Sequence, residues 1–172
     1  MNNRLVRLVF VSCGIAAIAA SAVGANPIPW ENVPPKLREV FASKLFGSLY
    51  DVSDRINPLY LRGDFDGDGL ADYAILTVQV KTKKRGIAVW LSATNKMTTL
   101  GAGSPVQYGQ AREDDLNFDR WRIVGNNPAD VSTSIQMPPG LHADAIFVEK
   151  LESAGGIFYL KRGKFLWFQQ GD

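Results

Sequence analysis

Apolar residues recur at helical spacing in one segment near the N-terminus. The apolar positions are Leu37, Val40, Phe41 and Leu45. The polar positions on the opposite face are Lys36, Arg38, Glu39 and Ser43. This period of three to four residues predicts an amphipathic helix. Pro34 and Pro35 suit its first turn, where a missing backbone N–H costs nothing, and Gly47 is a suitable stop.

From residue 59 onward the pattern favours strands. Residues 72–80 alternate in the manner of a strand with one buried face. That face comprises Ala74, Leu76, Val78 and Val80. Residues 86–91 form a second apolar run after a charged turn at residues 81–85, so the two runs predict a β-hairpin.

The second half of the chain contains further strand patterns separated by two long segments without periodicity. The expected strands are residues 97–101, 120–124, 143–150, 156–161 and 164–169. Residues 103–117 and 126–140 are expected to be loops, because turn-forming residues are frequent there. The pattern as a whole predicts an α+β fold, in which one N-terminal amphipathic helix packs on an antiparallel sheet of about five to seven strands.

The first 25 residues have the features of a signal peptide. Arg4 and Arg7 precede an uncharged, mostly apolar run at residues 8–20, which is too short to span a membrane. Small residues at positions 23–25 predict cleavage after Ala25. We therefore expect one domain at residues 26–172, exported to the periplasm or outside the cell, with no transmembrane segment after cleavage. A retained N-terminal anchor and a lipoprotein modified at Cys13 are the alternatives.

Removal of the leader changes the charge of the chain. The sequence has 19 Lys and Arg residues against 17 Asp and Glu residues, and the leader holds two of the Arg residues and no acid. The exported chain therefore has 17 of each and no net charge, which gives no case for binding nucleic acid. Cys13 is the only cysteine, so the exported domain can form neither a disulfide nor a thiolate metal site.

Residues 64–72 carry the strongest chemical signal. Asp64, Asp66, Asp68 and Asp72 occupy positions 1, 3, 5 and 9 of this segment, and Gly69 occupies position 6. Ca²⁺ takes about six to eight oxygen ligands, which alternating acids on a tight loop can supply. An EF-hand loop ends with Glu at position 12, where this chain has an apolar residue. Asp72 is therefore expected to be the closing ligand.

The same segment resembles the FG-GAP calcium loop of integrin-type β-propellers. Residues 63–74 match its D-x-D-x-D-G-x-x-D spacing, with an apolar strand following. The resemblance implies a β-hairpin loop that binds Ca²⁺ through Asp64, Asp66, Asp68, Asp72 and the Leu70 carbonyl. A propeller needs several blades, and only one such loop is present. The chain is also similar to a group of small exported bacterial proteins with a leader, a short helix and one such loop.

Three functions are compatible with these features. The first is a non-enzymatic domain that has a structural Ca²⁺ and binds an unknown protein or a component of the cell envelope. The second is a hydrolase or envelope-processing enzyme that uses His142, the only histidine, with dispersed acids. Those acids are Glu113, Asp114, Asp115 and Asp119. The third is a small exported enzyme inhibitor, which would present the acidic loop or the basic residues 81–85.

Aromatic residues on the expected strands leave one further choice open. They are Trp90, Trp121, Tyr159, Trp167 and Phe168. Such residues could line a face that binds a sugar or a peptide, whereas aromatic side chains on strands more often belong to the core.

Overall fold

The regular secondary structure of this fold is mostly β-strand. The computed structural model describes residues 30–125 and 135–171. Strands account for 44% of the structure and helices for 8%, so the predicted α+β class is wrong and the fold is mostly β. The predicted signal peptide at residues 1–25, its cleavage after Ala25 and residues 126–134 of the loop expected at residues 126–140 lie outside the described residues.

In residues 30–125 and 135–171, two short helical elements precede eleven strands. A 3₁₀ turn spans Trp30–Asn32 and helix α1 spans Pro35–Ala42. The strands are β1 Tyr50–Val52, β2 Tyr60–Gly63, β3 Asp72–Gln79, β4 Arg85–Leu91, β5 Lys96–Gly101, β6 Val106–Tyr108, β7 Ala111–Glu113, β8 Arg120–Val124, β9 Ala145–Glu149, β10 Gly155–Lys161 and β11 Lys164–Gln170. Within the described residues, no helix is long and apolar enough to cross a membrane.

The strands of the described part of the chain form three antiparallel sheets. The first sheet has the order β1-β3-β4-β5, and β2 lies beside β1 along the same edge of β3. The second sheet has the order β11-β10-β9-β8, and β6 and β7 form a separate hairpin. The predicted hairpin of β3 and β4 is confirmed, with a register that runs from Tyr73 opposite Trp90 to Val78 opposite Arg85.

The main core lies between the first and the second sheet. Leu76 and Val89 of the first sheet belong to the same buried cluster as Ile146 and Phe158 of the second. The first sheet is covered on its other face as well, because Ile75 of β3 packs in a cluster with α1. Strand β3 is therefore buried on both faces over four consecutive residues, rather than on one face as predicted.

The predicted helix is present but shorter than expected. It ends because Ser43 adopts an extended conformation, with φ −69° and ψ 142°. Leu37 is fully buried, whereas Leu45, which was expected on the same apolar face, is 81% exposed. A helix of eight residues covers only part of one face of the first sheet, and a second sheet packs on the opposite face. This is the physical reason for the error in fold class.

Candidate metal centre

The acidic loop connects β2 to β3, and the sheet holds both of its ends. Gly63, the last residue of β2, lies opposite Asp72, the first residue of β3. Asp72 is fully buried, while the middle of the loop is exposed. The loop therefore extends from the rigid edge of the first sheet, where its first and last acids are close together.

Three of the four predicted acids converge. One carboxylate oxygen from each of Asp64, Asp66 and Asp72 lies within 4.8 Å of the others, and the group could hold a metal ion. Burial raises the pKa of the Asp66 carboxyl, and the negative charge of Asp72 raises it further. Both effects penalise the ionised loop, and a bound cation would relieve them.

Backbone amides fix the position of the first acid. Asp64 Oδ1 accepts hydrogen bonds from the N–H groups of Gly67 at 2.8 Å and Asp68 at 3.1 Å, and its Oδ2 accepts one from Gly69 at 2.9 Å. The loop wraps round this carboxylate because Gly67 and Gly69 have φ values of +79° and +86°. Residues with a Cβ rarely adopt this left-handed conformation, so the two glycines make the tight turn possible.

The last acid links the loop to the neighbouring strand. Asp72 Oδ2 accepts a hydrogen bond from the N–H of Phe65 at 2.9 Å, and its Oδ1 accepts one from the N–H of Ser92 at 2.8 Å. Each carboxylate oxygen can accept more than one hydrogen bond or ligate a cation as well. Asp72 therefore connects the loop to the residue after β4 by hydrogen bonds and also belongs to the acidic group.

The other two predicted ligands, Asp68 and the Leu70 carbonyl, are not part of the converging group. Asp68 lies outside the group of three, and its Oδ1 accepts a hydrogen bond from the N–H of Leu70 at 2.7 Å. The Leu70 side chain is 53% exposed. Ligation by Asp68 and by the Leu70 carbonyl stays a prediction.

A fifth acid supports the loop from the second sheet. Asp144, just before β9, accepts a hydrogen bond on Oδ2 from the N–H of Asp64 at 2.8 Å, and its own N–H donates to the Asp64 carbonyl at 2.7 Å. A Cβ on Gly63 would lie 2.9 Å from this Oδ2, so a larger residue there would push the Asp144 carboxylate away from its position. Sequence spacing could not reveal Asp144, because it lies 80 residues from its partner.

Most acids considered for a hydrolase site are engaged elsewhere. His142 is exposed and shares a cleft of about 270 Å³ with Asp66. In contrast, Asp114 forms an ion pair with Lys84, and Asp115 forms one with Arg85. Two of the four cations of the 81–85 turn are therefore paired. Asp119 Oδ2 accepts a hydrogen bond from the N–H of Leu151 at 2.9 Å.

Comparisons of this chain with protein-family models, with curated proteins and with solved structures found no match. The likeness to the FG-GAP loop therefore rests on residues 63–74 alone, and membership of that family stays a hypothesis.

The aromatic residues divide between the core and a partly exposed surface. Trp90 and Trp121 are 8% and 4% exposed, so the core interpretation is confirmed for both. Tyr159, Trp167 and Phe168 are half-buried and pack against the core clusters from outside.

Proposed function

We propose that this protein is an exported calcium-binding domain in which the ion is structural. In this proposal it works by binding a partner protein or a component of the cell envelope, and not by catalysis. The observation that supports it best is the convergence of the Asp64, Asp66 and Asp72 carboxylates within 4.8 Å at the turn of a hairpin.

The donor set favours Ca²⁺ among the common protein metals. The group offers only carboxylate oxygens, which are hard ligands, whereas structural zinc sites use cysteine and histidine. Mg²⁺ demands near-ideal octahedral geometry at about 2.0–2.1 Å and retains several waters. Ca²⁺ accepts irregular sets of carboxylate and carbonyl oxygens at about 2.3–2.6 Å, which suits a glycine-rich loop.

The position of the loop favours a structural role over a catalytic one. Its three converging acids come from one short segment. Asp72 joins this segment to Ser92, just after β4, and Asp144 joins it to the start of β9 in the second sheet. An ion held there would stiffen the connection between the two sheets. An exported chain with no cysteine after residue 25 cannot gain that rigidity from a disulfide.

Native mass spectrometry of the protein recovered from outside the cytoplasm tests export and metal binding together. We expect the mass of residues 26–172 plus one calcium ion, and the mass of residues 26–172 alone after treatment with a chelator. An uncleaved leader or a lipid on Cys13 would contradict soluble export. A chain that never retains calcium would contradict the metal assignment.

Asp144→Ala should lower the affinity for calcium by about tenfold, because outer partners that orient metal ligands typically contribute about 10–100-fold. The substitution removes the acceptor that holds the Asp64 N–H. Asp144→Asn keeps an oxygen acceptor and should retain most of the affinity. Calorimetric titration of both variants measures the difference. Equal affinities for Asp144→Ala and wild type would show that the loop does not need this support.

A further inference from the structure

A cleft lies where the three sheets meet, away from the acidic loop. It has a volume of about 480 Å³, within the range of about 300–1,000 Å³ that is usual for sites of small ligands. The side chains that matter for its chemistry are Tyr108, Glu113, Asp115, Lys150, Trp167 and Gln169. They come from the β6–β7 hairpin, from the segments that follow β7 and β9, and from β11.

One wall of the cleft is aromatic and rigid. The rings of Tyr108 and Trp167 meet edge to face, with centroids 5.0 Å apart, and Phe158 packs behind both. Trp167 lies directly over Gly156, since a Cβ there would be 2.0 Å from its Cζ2 atom. The Tyr108 hydroxyl donates to the Asn117 carbonyl at 3.1 Å. Both rings are therefore held in place before any ligand arrives.

Four polar side chains of the cleft, those of Arg85, Asp115, Asn117 and Gln169, are held by hydrogen bonds. Gln169 Oε1 accepts a hydrogen bond from Trp167 Nε1 at 2.9 Å. Arg85 donates to Asp115 through Nε at 2.9 Å and Nη2 at 2.7 Å, and to Asn117 Oδ1 through Nη1 at 2.6 Å. The hydrogen bonds that Arg85 donates to Asp115 lower the pKa of Asp115 to about 2, so its carboxylate stays an acceptor at neutral pH. Pre-organised groups bind with a smaller entropy cost.

The charges of the cleft cancel. Arg85 and Lys150 supply two cations, and Glu113 and Asp115 supply two anions. This balance disfavours polyanions and polycations. It suits an uncharged ligand that has an apolar face for the aromatic wall and many hydrogen-bonding groups for the polar one. A sugar ring combines these features, because its C–H groups form a face and its hydroxyl groups both donate and accept.

We propose that this cleft binds a neutral saccharide. Tyr108 and Trp167 contact the C–H face of a sugar ring. Glu113, Asp115 and Gln169 bind its hydroxyl groups.

The inference rests on the binding role under "Proposed function" but not on the calcium site. Arg85 pairs with Val78, which is six residues along β3 from Asp72, a separation of about 20 Å. Loss of saccharide binding and loss of calcium binding are therefore separate outcomes.

Nuclear magnetic resonance of the calcium-loaded protein tests the proposal, because each of the four tryptophans gives its own indole N–H signal. The probes are cellotriose, maltotriose and triacetylchitotriose. We expect at least one to shift the assigned Trp167 signal saturably, with a dissociation constant of about 1 mM or tighter. The signals of Trp90 and Trp121 should stay in place, because both side chains are buried in the core.

Substitutions in the cleft show whether the saccharide binds there, and their melting curves show whether the variants still fold. Gln169→Ala and Glu113→Ala should each weaken it at least about tenfold, a loss of one strong hydrogen bond, with unchanged melting curves. The control is Trp30→Ala, which removes an aromatic side chain that is 39% exposed elsewhere on the molecule and should bind as wild type. The proposal is overturned if none of the three saccharides moves the Trp167 signal at about 10 mM, or if both cleft variants bind as tightly as wild type.

Discussion

Asp72→Ala should destabilise the protein by about 3 kcal/mol even when a chelator has removed calcium, because it leaves two backbone donors without an acceptor. The carboxylate of Asp72 is fully buried and accepts the N–H groups of Phe65 and Ser92. An unsatisfied buried donor costs about 1–3 kcal/mol. Urea denaturation in a chelator measures the change.

Asp72→Asn and Asp68→Ala are the matched controls for this effect. Asp72→Asn keeps one oxygen acceptor, so its loss of stability should be smaller. Asp68 is exposed, and within the described residues its carboxylate accepts a hydrogen bond only from the nearby N–H of Leu70. Asp68→Ala should therefore change the metal-free stability by less than about 0.5 kcal/mol. If Asp72→Ala and Asp68→Ala had equal stabilities in a chelator, the hydrogen bonds of Asp72 would contribute little.

Calcium should raise the melting midpoint of the wild-type protein by about 5–10 °C when its free concentration is about 100 times the dissociation constant. Mass action gives about 2.7 kcal/mol at that ratio, and a chain of this size gains about 2–4 °C per kcal/mol. Thermal melting with calcium and with a chelator measures the difference.

Asp66→Ala should abolish that difference. Asp66 accepts one long hydrogen bond, from the N–H of Asp68 at 3.3 Å, so the variant should match wild type in a chelator and fall below it in calcium. Asp114→Ala is the control, because Asp114 pairs with Lys84 outside the loop and its removal should leave the calcium shift intact. Identical wild-type midpoints in both conditions would count against a structural ion.

Local patterns predicted the parts of the fold that are local in sequence. The β3–β4 hairpin follows from two apolar runs round a charged turn. The β10–β11 hairpin follows from the expected strands at residues 156–161 and 164–169, which only two residues separate. Those residues, Arg162 and Gly163, have φ values of 52° and 74°. Left-handed residues at both positions are typical of the two-residue turns that join antiparallel strands.

Strands of three residues escaped prediction, and two of them, β6 and β7, form a hairpin inside residues 103–117, which were expected to be a loop. Strands β1, β6 and β7 have three residues each, which is too few for a period to appear. Val52 of β1 pairs with Thr77, 25 residues along the chain. The alternation of apolar and polar residues along a strand also does not show which element covers each face of the sheet. Ile75 packs near α1, whereas Leu76 packs in the main core. The fold class was wrong for that reason.

The same distinction applies to the candidate site. The spacing of Asp64, Asp66 and Asp72 is local, and the three carboxylates do converge. Asp144 reaches the loop only because two sheets pack together. The cleft at Tyr108 and Trp167 likewise exists only after three sheets have assembled, so no local motif could have predicted it.

Binding of calcium among Asp64, Asp66 and Asp72 is measured most directly by calorimetric titration of the metal-free protein with calcium chloride. We expect one saturable site with a dissociation constant of about 1 mM or tighter, in the range of extracellular calcium modules. The heat should vanish in Asp66→Ala and persist in Asp114→Ala. A wild-type trace that equals buffer dilution at millimolar calcium would contradict a structural metal centre in this loop.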